Sequence, residues 1–222
     1  MSVAQNLAII REHIPIDLKL VCVSKFHPDS EITEAYNVGE RIFGESRVQE
    51  LMEKQGRLPK DIHWHFIGHL QTNKVKYLVP FVDLIHGVDS LKLLNEINKQ
   101  AEKINRVVNC LLQVHIATEE TKFGFSAEEI LGLFQSNELS TFSFIRVCGL
   151  MGMATFTVNH QQVRKEFQTL KSLYDTIKCD YAAENEYFRE ISMGMSDDYN
   201  IAIEEGSTMV RIGSLIFGQR VY

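Results

Sequence analysis

Apolar positions in this chain switch repeatedly between helical spacing and short unbroken runs, and the alternation predicts its architecture. Over residues 2–12, Val3, Leu7 and Ile10 recur at helical spacing, and Pro15 ends that helix ahead of the first strand. A continuous apolar run follows, Leu20, Val21, Cys22 and Val23, and it stops at Ser24 and Lys25. Residues 26–29 turn the chain into a helix through Ala35 and Tyr36 that closes near Gly39. A short strand over 41–43, a turn over 44–46 and a helix carrying Val48, Leu51 and Met52, ending by Gly56, come next. A third strand covers 63–67, followed by Gly68 and a helix with Leu70, Val75 and Leu78.

The same alternation runs to the end. Strands are predicted over 81–88, 107–116, 143–153, 190–195 and 208–212. The helices between them cover 91–104 (with Asp89 and Ser90 as caps), 127–134, 160–177 and 197–205, the last stopped by Gly206. Gly213 and Ser214 lead into a final short helix over 215–217. Eight strand–helix repeats with short connections and mostly unbroken apolar strands indicate a parallel sheet, and eight is the number that closes a barrel. The expected fold is α/β, a (β/α)8 barrel in one domain over residues 1–222, with the leading helix as an extra element covering one end. A doubly wound open sheet is the alternative arrangement of the same elements.

Composition narrows the function classes. A hydrophobic share of 45% supplies a sizeable core, yet no stretch approaches the roughly 18 uninterrupted apolar residues of a membrane span. The first segment lacks the basic flank and apolar centre of a signal peptide, so a cytoplasmic location without membrane contact is expected. The net charge of −6 arises from 23 basic and 29 acidic side chains mixed along the chain, with no basic block, and nucleic acid is a poor partner for such a surface. A local pocket can still be positive and take a small anion. Cys22, Cys110, Cys148 and Cys179 show no metal-binding spacing, and three of them sit in apolar runs, so neither disulfides nor a zinc site is expected.

In such a barrel the working face is the C-terminal end of the strands. The residues predicted there are Ser24, Lys25, Glu45, Ser46, His65, His69, Asp89, Glu119, Lys122, Ser192, Ser196, Arg211, Gly213 and Ser214. A lysine closing a buried strand is costly to desolvate and is a candidate Schiff-base amine; a lysine that merely reaches solvent is the plain alternative. On the eighth strand Met209 and Arg211 share one face, and Val210 and Ile212 share the other. An inward arginine needs a carboxylate or a ligand acceptor. Gly213 and Ser214 open a helix just beyond it, where backbone N–H groups and a hydroxyl can meet an anion, and the loops after strands seven and eight frequently bind phosphate in barrels. Ser192 and Ser196 can add donors. His65 and His69 lack a third ligand for a metal, and no Walker loop, dinucleotide fingerprint or nucleophile elbow occurs. Lysine, phosphate cradle and arginine together suit pyridoxal 5′-phosphate (PLP); a Schiff-base aldolase acting on a phosphosugar would use the first two as well.

Several longer motifs carry a family resemblance. They are Val23-Ser24-Lys25, the run from Phe43 to Glu50, Trp64-His65-Phe66-Ile67-Gly68 with Leu70-Gln71-Thr72-Asn73-Lys74, Gly149-Leu150-Met151, and Ser192 through Ser196 joined to Gly206 through Gly213. Through these the chain resembles the pyridoxal phosphate homeostasis protein family over almost its whole length. The resemblance implies a barrel like the N-terminal domain of bacterial alanine racemase, with PLP held as an aldimine on Lys25. It also implies that Arg211 faces the pyridine nitrogen and that Gly213 and Ser214 hold the phosphate. Three positions depart from the family pattern: Ser46 and His115 where asparagine is expected, and Ser214 where threonine is usual. The implied function is binding and exchange of PLP and other B6 vitamers, with transient delivery to PLP-accepting apoenzymes, indirect effects on amino-acid pools, no catalytic turnover and a monomeric protein. Barrel elements use nearly all of the 222 residues, which leaves no predicted second domain to close the mouth. An amino-acid racemase or decarboxylase using PLP is the competing class.

Overall fold

The computed structural model describes residues 1–118 and 123–219; Glu119 and Lys122, two of the predicted strand-end residues, lie outside them. Eight strands follow one another around a closed barrel: β1 (Lys19–Val23), β2 (Ile42–Glu45), β3 (His63–Phe66), β4 (Leu84–Val88), β5 (Val108–Val114), β6 (Ile145–Gly152), β7 (Glu190–Ser192) and β8 (Met209–Ile212). Every neighbouring pair is parallel, and β1 closes the ring on β8 through Lys19 opposite Met209 to Cys22 opposite Ile212. The expected (β/α)8 barrel is therefore the fold. Around it run α1 (Val3–His13), α2 (Asp29–Asn37), α3 (Val48–Arg57), α4 (Val75–Leu78), α5 (Leu91–Glu102), α6 (Ala127–Gln135), α7 (His160–Asp180), α8 (Tyr199–Glu204) and α9 (Ser214–Phe217).

Local chemistry explains where the helices start. Ser2 and Gln5 form a reciprocal capping box at α1, Ser126 and Glu129 repeat it at α6, and the Ser90 hydroxyl accepts the Leu93 N–H at the start of α5. The leading helix does not cover an end of the barrel. It packs against α2 and α9, and the Asn6 side chain donates to the Ile216 carbonyl at 2.8 Å. With only four residues, α9 cannot cover β8 and β1 by itself, so α1 completes the outer ring with Val3, Leu7 and Ile10 in the core.

Three further expectations are corrected. Gly44 lies inside β2 instead of opening a turn, because a β-carbon there would come within 2.8 Å of the Val21 side chain and only glycine fits between the strands. β4 starts at Leu84, since the N–H groups of Phe81 and Val82 bond back to the Leu78 carbonyl and not to a neighbouring strand. β7 ends at Ser192, and the Asp198 carboxylate takes the Met195 N–H to turn the chain toward α8.

Side-chain alternation divides two cores. Leu20, Cys22, Val210 and Ile212 point outward into the large layer between strands and helices, whereas Val21, Leu84, Leu111, Met151 and Met209 fill the barrel interior. Arg211, next inward after Met209, is therefore in the interior, paired in register with Val21.

Candidate functional site

The loop after β1 is fixed on both sides of Lys25. Before it, the Ser24 hydroxyl donates to Glu45 Oε1 at 2.7 Å, and Lys54 Nζ donates to the Ser24 carbonyl at 2.7 Å. After it, the Phe26 N–H donates to Glu50 Oε1 at 2.6 Å, and Phe26 adopts φ +68°, a left-handed conformation that a non-glycine residue keeps only when its surroundings impose it. Lys54 joins the two halves by also donating to Glu45 (2.8 Å) and Glu50 (2.7 Å). The backbone that presents Lys25 is thus held by buried charge-assisted bonds reaching it from β2 and α3. Lys25 itself is half-buried at the C-terminal end of β1.

On the adjacent strand Arg211 is 4% exposed. Its Nη1 donates to the Ser192 hydroxyl at 2.6 Å and its Nη2 to the Gly152 carbonyl at 3.1 Å, and no carboxylate among the described residues lies within ion-pair distance. Burial lowers its guanidinium to about 10, opposed by the Asp198 charge, so it stays cationic at neutral pH. The sequence predicts that an inward arginine needs a carboxylate or a ligand acceptor, and no carboxylate among the described residues fills that need.

Gly213 follows at the top of β8. A β-carbon there would meet the Val23 carbonyl at 3.1 Å, and its N–H donates to the Ser196 hydroxyl at 3.4 Å. The N–H groups of Ser214 and Leu215 in the first turn of α9 find no acceptor among the described residues. Lys25, Arg211, Gly213, Ser214 and Ser196 therefore gather at one end of β1 and β8. Ser46 follows the last residue of β2 on the other side of β1, and a β-carbon on Gly68 would lie 2.4 Å from the Ser46 carbonyl oxygen. Ser192 is fully buried beneath this group and engages Arg211.

Of the other predicted strand-end residues, His69 bonds Asp89 at 2.8 Å and stacks on Phe123, away from His65. His65 turns inward to a residue not singled out in the sequence, His86, whose Nε2 is 3.0 Å from His65 Nδ1. His86 Nδ1 is 3.0 Å from the Ser192 hydroxyl. An arginine can only donate, so Ser192 Oγ accepts from Arg211 and has its own proton to give to His86 Nδ1. That assignment places the His86 proton on Nε2, facing His65 Nδ1, and the His65 proton on Nε2. A polar column Arg211–Ser192–His86–His65 thus crosses the barrel. Its signal in the sequence is a lone histidine within the apolar run of β4; that of Lys54 is its four-residue spacing from Glu50.

The column makes stability sensitive to acid. Burial drives His65 down to about 3, aided by Lys19 and His63, and drives His86 well below its usual value, aided by His65 and Arg211. Their contribution to stability is present above the unfolded value near 6.5 and is lost as pH falls, at up to ~1.4 kcal/mol per pH unit each. Glu45 runs the other way: burial pushes it up to about 7 against Lys54 and the Ser24 hydroxyl, so its contribution is lost as pH rises from about 4.5 through 7. Between pH 6.5 and 4.5 two histidine protons oppose one carboxylate proton, and stability falls by ~1.4 kcal/mol per pH unit on acidification. In His86→Asn that slope drops to near zero in urea titrations at stepped pH; an unchanged slope would remove the column from this account.

The model of the alanine racemase N-terminal domain matches residues 1–221. A curated relative from Aquifex aeolicus, named pyridoxal phosphate homeostasis protein, is 45% identical over 206 residues, covering 92% of this chain and 88% of its own. The solved structure of PipY from Synechococcus elongatus with PLP bound superposes with a TM-score of 0.88 at 32% identity, covering 98% of this chain and all of that one; its PLP-free form gives 0.91 at 33%. Alanine racemase of Clostridium difficile shares the fold (TM-score 0.78, 16% identity), and the match spans 56% of that longer chain.

Proposed function

Since this chain belongs to the pyridoxal phosphate homeostasis protein family, built on the alanine racemase N-terminal domain fold, we propose that it binds PLP reversibly at the C-terminal end of β1 and β8 and passes it on to other proteins. The observation that carries the reading is the buried, cationic Arg211 without a carboxylate among the described residues, one strand away from Lys25 and just below the Gly213–Ser214 cradle.

PLP supplies an aldehyde for an amine, a phosphate and a pyridine ring. Lys25 would offer the amine that the aldehyde needs. Arg211 presents N–H donors to the ring nitrogen. The N–H groups of Ser214 and Leu215, which find no acceptor among the described residues, would meet the phosphate with the Ser196 and Ser214 hydroxyls beside Gly213, where a β-carbon would crowd Val23. Ser46 flanks the site from β2. Ser192 acts one step back by orienting Arg211, which separates its role from that of Ser196.

A guanidinium donates a hydrogen bond but does not protonate the ring nitrogen, so the ring is a weak electron sink, which suits holding PLP better than carbanion chemistry. Two measurements test this. The loaded protein should restore activity to an apoenzyme that requires PLP, and it should leave the α-proton of added amino acids in place in deuterated solvent. Steady α-deuterium uptake lost in Lys25→Ala would replace the carrier with an enzyme.

A further inference from the structure

The opposite end of the barrel holds a second constellation that PLP binding leaves unused. At the N-terminal ends of the strands a cavity of about 310 Å³ is lined by Lys19, His65, Asp83, Arg146, Tyr187 and Glu190, among others. Its charges are of both signs. Glu190 is nearly buried and is engaged by Lys19 and by Arg189 at 3.5 Å. Asp83 Oδ2 takes the Trp64 N–H at 2.9 Å, whereas its Oδ1 has only His63 at 3.4 Å. Arg146 stacks 3.8 Å above the Tyr187 ring and has no carboxylate partner among the described residues. His65 Nε2, which carries the proton in the column, makes no hydrogen bond within the described residues. Ile42, Leu84 and Met209 give the cavity apolar wall.

We propose that this N-terminal mouth is a second ligand site, for a small zwitterion of the amino-acid class, and that its occupancy is felt at the cofactor end through the His65–His86–Ser192–Arg211 column. The ligand carboxylate accepts from Arg146 and from His65 Nε2, its ammonium donates to Asp83 Oδ1, and its carbon chain lies on Leu84 and Met209. A dianion would meet Glu190 and Asp83, and a simple cation would meet Lys19, Arg146 and Arg189, so only a molecule carrying both charges satisfies the mouth. The reach is suitable: Leu84 is paired with Asn109 and Asn109 with Arg146, so Asp83 and Arg146 stand about two strand spacings apart, ~10 Å, which their side chains and a small amino acid span. The volume also lies at the small end of ligand cavities. A carboxylate accepting from His65 Nε2 strengthens each successive donor–acceptor contact up to Ser192, and so changes how Ser192 holds Arg211.

The coupling rests on the PLP reading, whereas the binding does not, and the experiment keeps them apart. The probe is N,N-dimethylglycine, a zwitterion without a primary amine, which cannot condense with an aldehyde. Histidine ring resonances of the full chain without added PLP are followed at constant ionic strength, with acetate and dimethylammonium as single-charge controls. The expected result is saturable movement of the His63 and His65 signals by dimethylglycine, roughly tenfold weaker with either control and roughly tenfold weaker in Arg146→Gln. Non-saturable movement, or equal responses to acetate and dimethylglycine, would overturn the site. The absorption band and the dissociation constant of PLP are then measured with and without dimethylglycine. A change that vanishes in His86→Phe supports the coupling; a filled mouth with PLP unaffected overturns it. Failure to bind PLP at all shows as a colourless protein and leaves the first titration standing.

Discussion

Lys25→Ala is expected to abolish covalent retention of PLP while leaving the fold intact. Alanine accepts the same backbone conformation, and the bonds that shape this loop come from Ser24, Phe26, Glu45, Glu50 and Lys54, none of which needs the Lys25 side chain. Any loss of stability should stay small beside the loss of PLP, at about 1 kcal/mol. In the proposed site the aldehyde then loses its amine, leaving only the contacts assigned to Arg211, Ser196, Gly213 and Ser214, so the dissociation constant should rise by on the order of a hundredfold or more, about 2.7 kcal/mol. Equilibrium dialysis gives the affinity, and borohydride reduction followed by peptide mapping gives the site of attachment.

The rival amine is Lys54, whose side chain is 4% exposed, against the half-buried Lys25. Three acceptors at 2.7–2.8 Å surround its Nζ, and two of them are carboxylates. Three hydrogen bonds hold that nitrogen in place against Ser24, Glu45 and Glu50, away from an incoming aldehyde. A phosphopyridoxyl label that persists on Lys54, or at an unchanged level in Lys25→Ala, would sink the assignment of Lys25.

What the sequence made legible follows from the range of each signal. The barrel is visible because eight apolar runs with helical spacing between them need no knowledge of contacts. Lys25, Arg211 and the Gly213–Ser214 pair are visible because each combines an unusual residue type with a strand end. Gly44 was misplaced because a glycine required by a neighbouring strand looks, in one dimension, like a glycine that turns the chain. His86 and Lys54 were missed because their roles depend on partners far away in sequence: His86 reaches Ser192 across 106 positions and Lys54 reaches the Ser24 carbonyl across 30. Ser192 and Ser196 could not be told apart for the same reason. Their division of labour is set by inward alternation on β7 and by the turn after it, with Arg211 below and Gly213 above.

Gly149 shows what such hidden contacts cost when violated. It follows the extra residue, Cys148, where the β5–β6 register shifts, and it lies opposite Glu190 of β7 at φ +150°. A β-carbon there would come within 1.8 Å of the Glu190 carbonyl oxygen and 2.7 Å of its carbonyl carbon, both of them backbone atoms that no rotamer change can clear. Gly149→Ala must therefore part β6 from β7, and we expect a loss of ~4 kcal/mol or more, with a melting temperature lower by ~8–16 °C. The damage should also reach the cofactor end, because β7 carries Ser192 to Arg211 and β6 supplies the Gly152 carbonyl, so PLP affinity falls in whatever fraction stays folded. Gly56→Ala is the matched control. Gly56 sits within α3 with nothing inside 4 Å of its would-be β-carbon, and alanine there should stabilise the protein by roughly 0.5–1 kcal/mol. Urea unfolding of both variants separates a glycine demanded by strand contact from one that is merely tolerated. A loss below about 1 kcal/mol at Gly149 would mean that the β6–β7 seam is softer than its register implies.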